Sequence, residues 1–224
     1  MRRRLLFLFV LCALLMFLRA LPEDAAPTMA PAEYLVWVDM RAMNLTLYKG
    51  QTQVGRWPVA VGKGETPTPI GVYRINRRFV PNSGGFGTRF LGLNVPWGVY
   101  GIHGTNNPGS IGSHASHGCI RMFSRDVEKL FAMVPTGTPV VIEDGPYGQL
   151  GNELCTLRYG ARGSQVVAAQ KRLWQLGYYQ GEFDGVYGPG MSAALRKLKA
   201  DRGLALEECV DRATWDAMGV ILFD

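Results

Sequence analysis

The stretch from Tyr100 to Met122 reads YGIHGTNNPGSIGSHASHGCIRM and holds all three histidines of a 224-residue chain. His103, His114 and His117 all lie within sixteen residues of Cys119. Three readings suit such a cluster. It could be a polar loop gathered for solubility. It could be a zinc site, with Cys119, His117, His114 and His103 as four N/S ligands. Against that, His117 and Cys119 are spaced more tightly than a usual ligand pair, and no second cysteine pair supports it. The third reading is a thiol nucleophile with an imidazole base. A free cysteine has a pKa of about 8.5, so an imidazole that takes its proton would hold a reactive thiolate as an ion pair. Gly118 permits close approach of a substrate. The Gly118 and Cys119 amides could face a developing oxyanion, a stabilisation of about 3–4 kcal/mol per donor in known cases. Arg121 is placed to bind a carboxylate with its planar fork.

The elements that must hold these residues read as mostly strands. Tyr34–Val38 and Met43–Tyr48 alternate, with Lys49-Gly50-Gln51 as a turn. Val54–Val61, Gly71–Phe79, Val99–His103 and Pro139–Glu143 also have strand character, and Pro67 and Pro69 break the chain before Gly71. One helix is expected over Ser124–Val134, capped by Ser124, with Val127, Leu130, Phe131 and Val134 on one face. The remainder of 80–120 reads as glycine-rich loop. Past Leu154 the period changes. Val166, Ala169, Gln170, Leu173 and Trp174 form a helical stripe ended by Gly177, and Met191, Ala194, Leu195 and Leu198 form another. Asp211 caps a third helix that carries Trp215 and Met218. Trp174 and Trp215 are expected to fill the core of this module. The fold class that follows is a mostly-β domain over 34–146 and a small all-α three-helix domain over 154–224, joined by a linker at 147–153.

The front of the chain carries an address. Arg2, Arg3 and Arg4 precede an uncharged apolar run from Leu5 to Leu18, within signal-peptide length and short of the roughly 20 residues a spanning helix needs. Residues 1–20 are therefore expected to be a signal peptide or an uncleaved anchor, and Pro/Ala-rich residues 21–33 a linker. Net charge is +6 overall and falls to +2 without residues 1–20, which hold four arginines and no acid. No basic run remains that would suit nucleic acid. Any membrane contact is expected only through residues 5–18. Hydrophobic residues at 47% and charged residues at 19% exclude a disordered chain.

His103-Gly104-Thr105 followed by Ser116-His117-Gly118-Cys119-Ile120-Arg121 resembles the signature of the L,D-transpeptidases with the YkuD catalytic domain. Thr66-Pro67-Thr68-Pro69-Ile70-Gly71-Val72-Tyr73 resembles that family's upstream element, and Gly137-Thr138-Pro139-Val140 its closing strand. The resemblance implies a YkuD-like β-sandwich with a short helix. It implies that Cys119 is the nucleophile and His103 the proton acceptor, held by a backbone carbonyl near Gly104. His117 and Ser116 would support the site, the Gly118 and Cys119 amides would form the oxyanion hole, and Arg121 would bind substrate. His114 matches nothing in the motif and reads as a solvated loop residue. The implied reaction acts on peptidoglycan stem peptides. Cys119 attacks the carbonyl between the third, diamino residue and D-alanine, D-alanine leaves, and the amine of a second stem resolves the thioester as a 3→3 cross-link. Water in place of the amine makes an L,D-carboxypeptidase. No metal and no organic cofactor is implied. A non-catalytic wall-binding protein is the remaining alternative.

Leu157-Arg158-Tyr159-Gly160-Ala161-Arg162-Gly163, Leu176-Gly177-Tyr178, Asp184-Gly185-Val186-Tyr187-Gly188 and Asp211-Arg212-Ala213-Thr214-Trp215 resemble a three-helix peptidoglycan-binding domain. That implies the glycan wall as a partner, a cell-envelope location outside the cytoplasm, and a tether that raises local substrate concentration. The protein is expected to act as a monomer. In an exported chain Cys155 and Cys209 could pair, a loop closure worth about 4 kcal/mol to a small domain.

Overall fold

The computed structural model describes residues 33–82 and 84–220. The expected signal or anchor at 1–20 and nearly all of the 21–33 linker lie outside them, and among the described residues no helix is long and apolar enough to cross a membrane.

Strand β1 (Tyr34–Asp39) buries Val36 and Val38 completely and turns Trp37 outward, the period-two pattern of a sheet with one covered face. It pairs antiparallel with β2 (Asn44–Lys49), which pairs with β3 (Thr52–Pro58) through a bulge at Leu47/Tyr48. On its other side β1 runs parallel to β10 (Pro139–Glu143), and β10 pairs with β5 (Gly71–Phe79). The sheet continues through β6 (Phe90–Leu93) and β7 (Tyr100–Gly104) to β9 (Ile120–Met122), giving eight strands in the order β3-β2-β1-β10-β5-β6-β7-β9. Strands β6 and β8 (His114–Ser116) fall within the 80–120 stretch that reads as glycine-rich loop and β9 begins at its end, while β4 (Val61–Gly62), the partner of β8, takes up the end of the expected Val54–Val61 strand. All four residues of β6 are buried, so it shows no alternation to read.

Ala60, just past β3 at one edge, exchanges both backbone hydrogen bonds with Arg121 of β9 at the other edge, at 2.9 and 2.8 Å. The sheet therefore closes on itself. Val36, Leu45 and Leu47 from one end share a single core with Leu91, Ile102 and Ile120 from the other. Helix α1 (Ser124–Met133) adds Val127 and Leu130 to that core and packs on β7. Ser124 is its first residue and makes no side-chain cap; Phe123 takes the capping position.

The C-terminal part builds a second core from α2 (Ser164–Gln175), α3 (Pro189–Asp201), α4 (Arg212–Ala217) and the two-stranded β11–β12 (Leu157–Arg158, Cys209–Val210). Asp211 caps α4 as expected, its carboxylate accepting from the Thr214 amide at 2.9 Å. Two expectations are corrected. Trp174 is 53% exposed and lies edge-on to Phe183, whereas Trp215 at 1% is the core tryptophan. Cys155 and Cys209 are both free: Cys209 is buried beside Glu207, while Cys155 lies exposed.

The segment expected as a linker contains a 3-10 turn, Gly148–Leu150, and the Gln165 amide donates to Leu150 O at 2.8 Å. Ile70 N–H donates to Ser164 Oγ at 2.8 Å, and Val167 of α2 packs into the sheet's core. Trp97 lies directly against Gly185, where an added Cβ would come within 2.3 Å of its ring. The described residues accordingly form one compact unit.

Candidate active site

β7 and β9 run parallel, with His103 opposite Arg121. Cys119 immediately precedes β9, so the register places it beside Gly101 on β7, whose backbone N–H favours the thiolate. His103, Cys119, Arg121, Ser116 and His117 line one cavity of about 340 Å³, walled also by Phe86 and Val99. The histidine and the thiol that the sequence separates by sixteen positions thus line the same cavity, one on β7 and the other at the entry to β9.

His103 is 3% exposed. Its Nδ1–H donates to the Gly104 carbonyl, which leaves Nε2 as the proton acceptor. The ring stacks on Phe90, with centroids 5.8 Å apart, and Phe86 meets it edge-on at 5.0 Å. Burial lowers the His103 pKa, with the Arg121 charge acting the same way and the Gly104 and Phe86 backbones opposing. Burial also pushes the Cys119 thiol up, against the lowering effects of the Gly101 N–H and Arg121. Both shifts favour the uncharged pair at rest. Burial is the larger cause in both, because charge is costly away from water.

The Ser-His-Gly-Cys turn is shaped by Ser116. Its hydroxyl donates to Cys119 O and accepts from Gly118 N–H at 3.0 Å. The Gly118 amide is therefore engaged, and of the two expected oxyanion donors only the Cys119 N–H has no partner among the described residues. Gly118 has φ +107°, and an added Cβ would sit 2.6 Å from the Tyr100 ring. The Thr66–Pro69 segment braces the turn, with Thr66 Oγ1 donating to Ser116 O at 3.2 Å.

His117 is exposed and borders the cavity without a side-chain hydrogen bond among the described residues, whereas His114 is exposed on β8 with Nδ1 donating to Gly62 O at 3.0 Å. His114 thus pins a strand pair and stays outside the cavity. The histidines and Cys119 do not converge as a zinc site would require: among the described residues no three of His, Cys, Asp and Glu are arranged to hold one ion. Phe86, Phe90 and Tyr100 were not singled out from sequence. The available signal was two aromatics four apart within the glycine-rich stretch Gly84–Phe90.

Residues 33–142 match the family described as "L,D-transpeptidase catalytic domain", and residues 162–218 the "Putative peptidoglycan binding domain". The "Putative L,D-transpeptidase YqjB" of Bacillus subtilis is 32% identical over 152 residues, covering 61% of this chain and 85% of that protein. The chain belongs to the L,D-transpeptidase family with the YkuD catalytic domain. The "Putative L,D-transpeptidase YkuD" of Bacillus licheniformis is 48% identical over 110 residues, covering 49% of this chain. The chain spans 65% of that relative's length. Among solved structures, the catalytic domain of an Enterococcus faecium L,D-transpeptidase is similar at 25% identity and a TM-score of 0.43, over 51% of this chain and 98% of that one.

Proposed function

We propose that the protein is an exported peptidoglycan L,D-transpeptidase that works through a Cys119 thioester. The observation that carries this reading is the shared cavity of Cys119, His103 and Arg121, with the His103 tautomer set by Gly104. His103 Nε2 takes the thiol proton as Cys119 Sγ attacks the carbonyl between the diamino residue and D-alanine of a tetrapeptide stem. The tetrahedral oxyanion is met by the Cys119 N–H. The C–N bond then breaks, His103 returns its proton to the leaving D-alanine amine, and the thioester remains. The side-chain amine of a second stem attacks the thioester, the C–S bond breaks, and the amine's proton passes through His103 to the departing sulfur. The product is a 3→3 cross-link. If water attacks instead, the product is a tripeptide and the enzyme is an L,D-carboxypeptidase. Arg121 binds a substrate carboxylate on the donor side, Ser116 holds the turn, and His117 supports the site from the rim of the cavity.

Export to the cell envelope is supported by Arg2–Arg4 followed by the apolar run Leu5–Leu18, and wall binding by the module at 162–218. Incubation with tetrapeptide stems, followed by mass analysis of products, tests the reading. Release of D-alanine with dimer formation is expected, and tripeptide without dimer would mark a carboxypeptidase. Cys119→Ala should abolish both products, and His103→Ala should slow them by about 10²–10⁴-fold. D-Alanine release undiminished in Cys119→Ala would overturn the reading.

A further inference from the structure

A second cavity, of about 220 Å³, adjoins the first and is built by both halves of the molecule. Glu65, the Thr66–Pro69 segment, Trp97 and Tyr100 form one wall; Arg162, Gly163 and Ser164 form the other. His117 borders both cavities. The wall from the C-terminal module is held in place by the Ile70–Ser164 hydrogen bond and the Trp97–Gly185 contact. Tyr100 lines the second cavity and packs against the backbone at Gly118.

The charges in this second cavity are uncommitted. Arg162 and Glu65 are both exposed, and neither makes an ion pair or side-chain hydrogen bond among the described residues. An unpaired cation and an unpaired anion in one small cavity complement a ligand that carries both signs. The first cavity already holds the nucleophile and Arg121, where the acyl donor must sit. A resting thioester there needs a second peptide delivered from alongside.

We propose that the second cavity is the acyl-acceptor subsite and that Arg162, contributed by the C-terminal module, binds the carboxylate of the acceptor stem's diamino residue. Glu65 attracts the ammonium group of the same zwitterionic residue on entry; that group leaves Glu65 and gives up a proton before it attacks the thioester as the free amine, passing His117, which borders both cavities. The C-terminal module is then a wall of the active-site cleft as well as a wall anchor. This assignment rests on the transpeptidase reading and adds to it a residue that sets the balance between cross-linking and hydrolysis.

The test uses the full chain with a tetrapeptide donor and a tripeptide acceptor, which lacks the fourth residue and so cannot acylate Cys119. Arg162→Glu should leave the rate of Cys119 acylation within about twofold, lower dimer formation by about tenfold, and raise tripeptide from hydrolysis in its place. Arg162→Lys should retain part of the dimer yield, as a point charge replaces a fork. Arg158→Glu makes the same charge change outside the cavity and should leave the product ratio unchanged. An unchanged dimer-to-hydrolysis ratio in Arg162→Glu, or a loss of acylation equal to the loss of dimer, would overturn the assignment. So would an equal effect of Arg158→Glu. If the wild-type protein never acylates, the transpeptidase reading fails, and calorimetric titration of tripeptide into Cys119→Ala still decides the subsite. About tenfold weaker binding when Arg162→Glu is added would uphold it, and equal binding would refute it.

Discussion

His103 and Cys119 line one cavity, where burial favours the uncharged form of each. The ring packs against both Phe90 and Phe86, which also touch each other, and the thiol is partly buried beside Gly101. The consequence is legible in alkylation kinetics. A resting ion pair would give a rate of Cys119 alkylation by iodoacetamide that levels off well below neutral pH. Here the thiol pKa is raised, so the rate at Cys119, followed by peptide mass mapping, should still climb beyond about pH 8.5, the free-thiol value. A plateau from acid pH would contradict the neutral pair. The His103 shift also acts on stability. Its folded-state pKa lies below 6.5, so as pH falls below 6.5 the unfolded chain takes up the proton first. Stability from this group is complete above 6.5 and erodes as pH falls toward the folded-state value. The acid limb of kcat/KM should correspondingly lie below 6.5. At this scale the motif itself was readable because chemistry fixes residue type: a thiol, a base and a glycine in one short run. The aromatic enclosure of His103 was not readable, since Phe86 reaches it from a separate loop and Phe90 from a neighbouring strand. The engagement of the Gly118 amide was hidden for a different reason, because it depends on the Ser116 rotamer.

Two edge strands brought together make the site possible. The Ala60–Arg121 bridge locks β9 to the chain leaving β3, and the Ser116 turn projects Cys119 from the start of β9. Gly118 is the tight point, with φ +107° and the Tyr100 ring where a methyl group would go. Gly118→Ala should lower kcat/KM by about 10²-fold while leaving the far-UV spectrum intact, because a displacement of about 1 Å at a nucleophile has that effect. Unaltered kinetics would show that the turn tolerates the strain. In the helical part, Asp211→Ala removes the α4 cap and should cost about 1 kcal/mol in denaturant unfolding. The strands of β1, β2, β5 and β10 were visible from alternation or strand composition. β6, β8 and β9 were not, because they run three or four residues among glycines and are specified by pairing partners far away in sequence. Trp174 followed the helical stripe of α2 yet lies on its solvent side, where Phe183 covers one edge. Periodicity alone places a stripe's outermost member only loosely.

The molecule as a whole joins its two cores more closely than a tethered pair of domains. Val167 of α2 sits in the sheet's core, and Trp97 of the sheet domain lies on Gly185. Gly185→Val would place a side chain in the Trp97 ring at a residue with φ +69°. It should destabilise the protein by at least about 2 kcal/mol and split a single unfolding transition into two. One unsplit transition with unchanged midpoint would contradict a built interface. The resemblance of each half to its family was legible from sequence; their docking was not, because its contacts come from residues that read as core or turn in either half taken alone.

The central claim is that Cys119 carries the acyl group, and the mass of the intact protein tests it most directly. On mixing with a tetrapeptide stem, the wild-type chain should gain the mass of the stem less D-alanine, mapped to Cys119. His103→Ala should gain it far more slowly, and Cys119→Ala not at all. A wild-type chain that releases D-alanine without ever bearing that adduct, or an adduct mapped to another residue, would contradict the account.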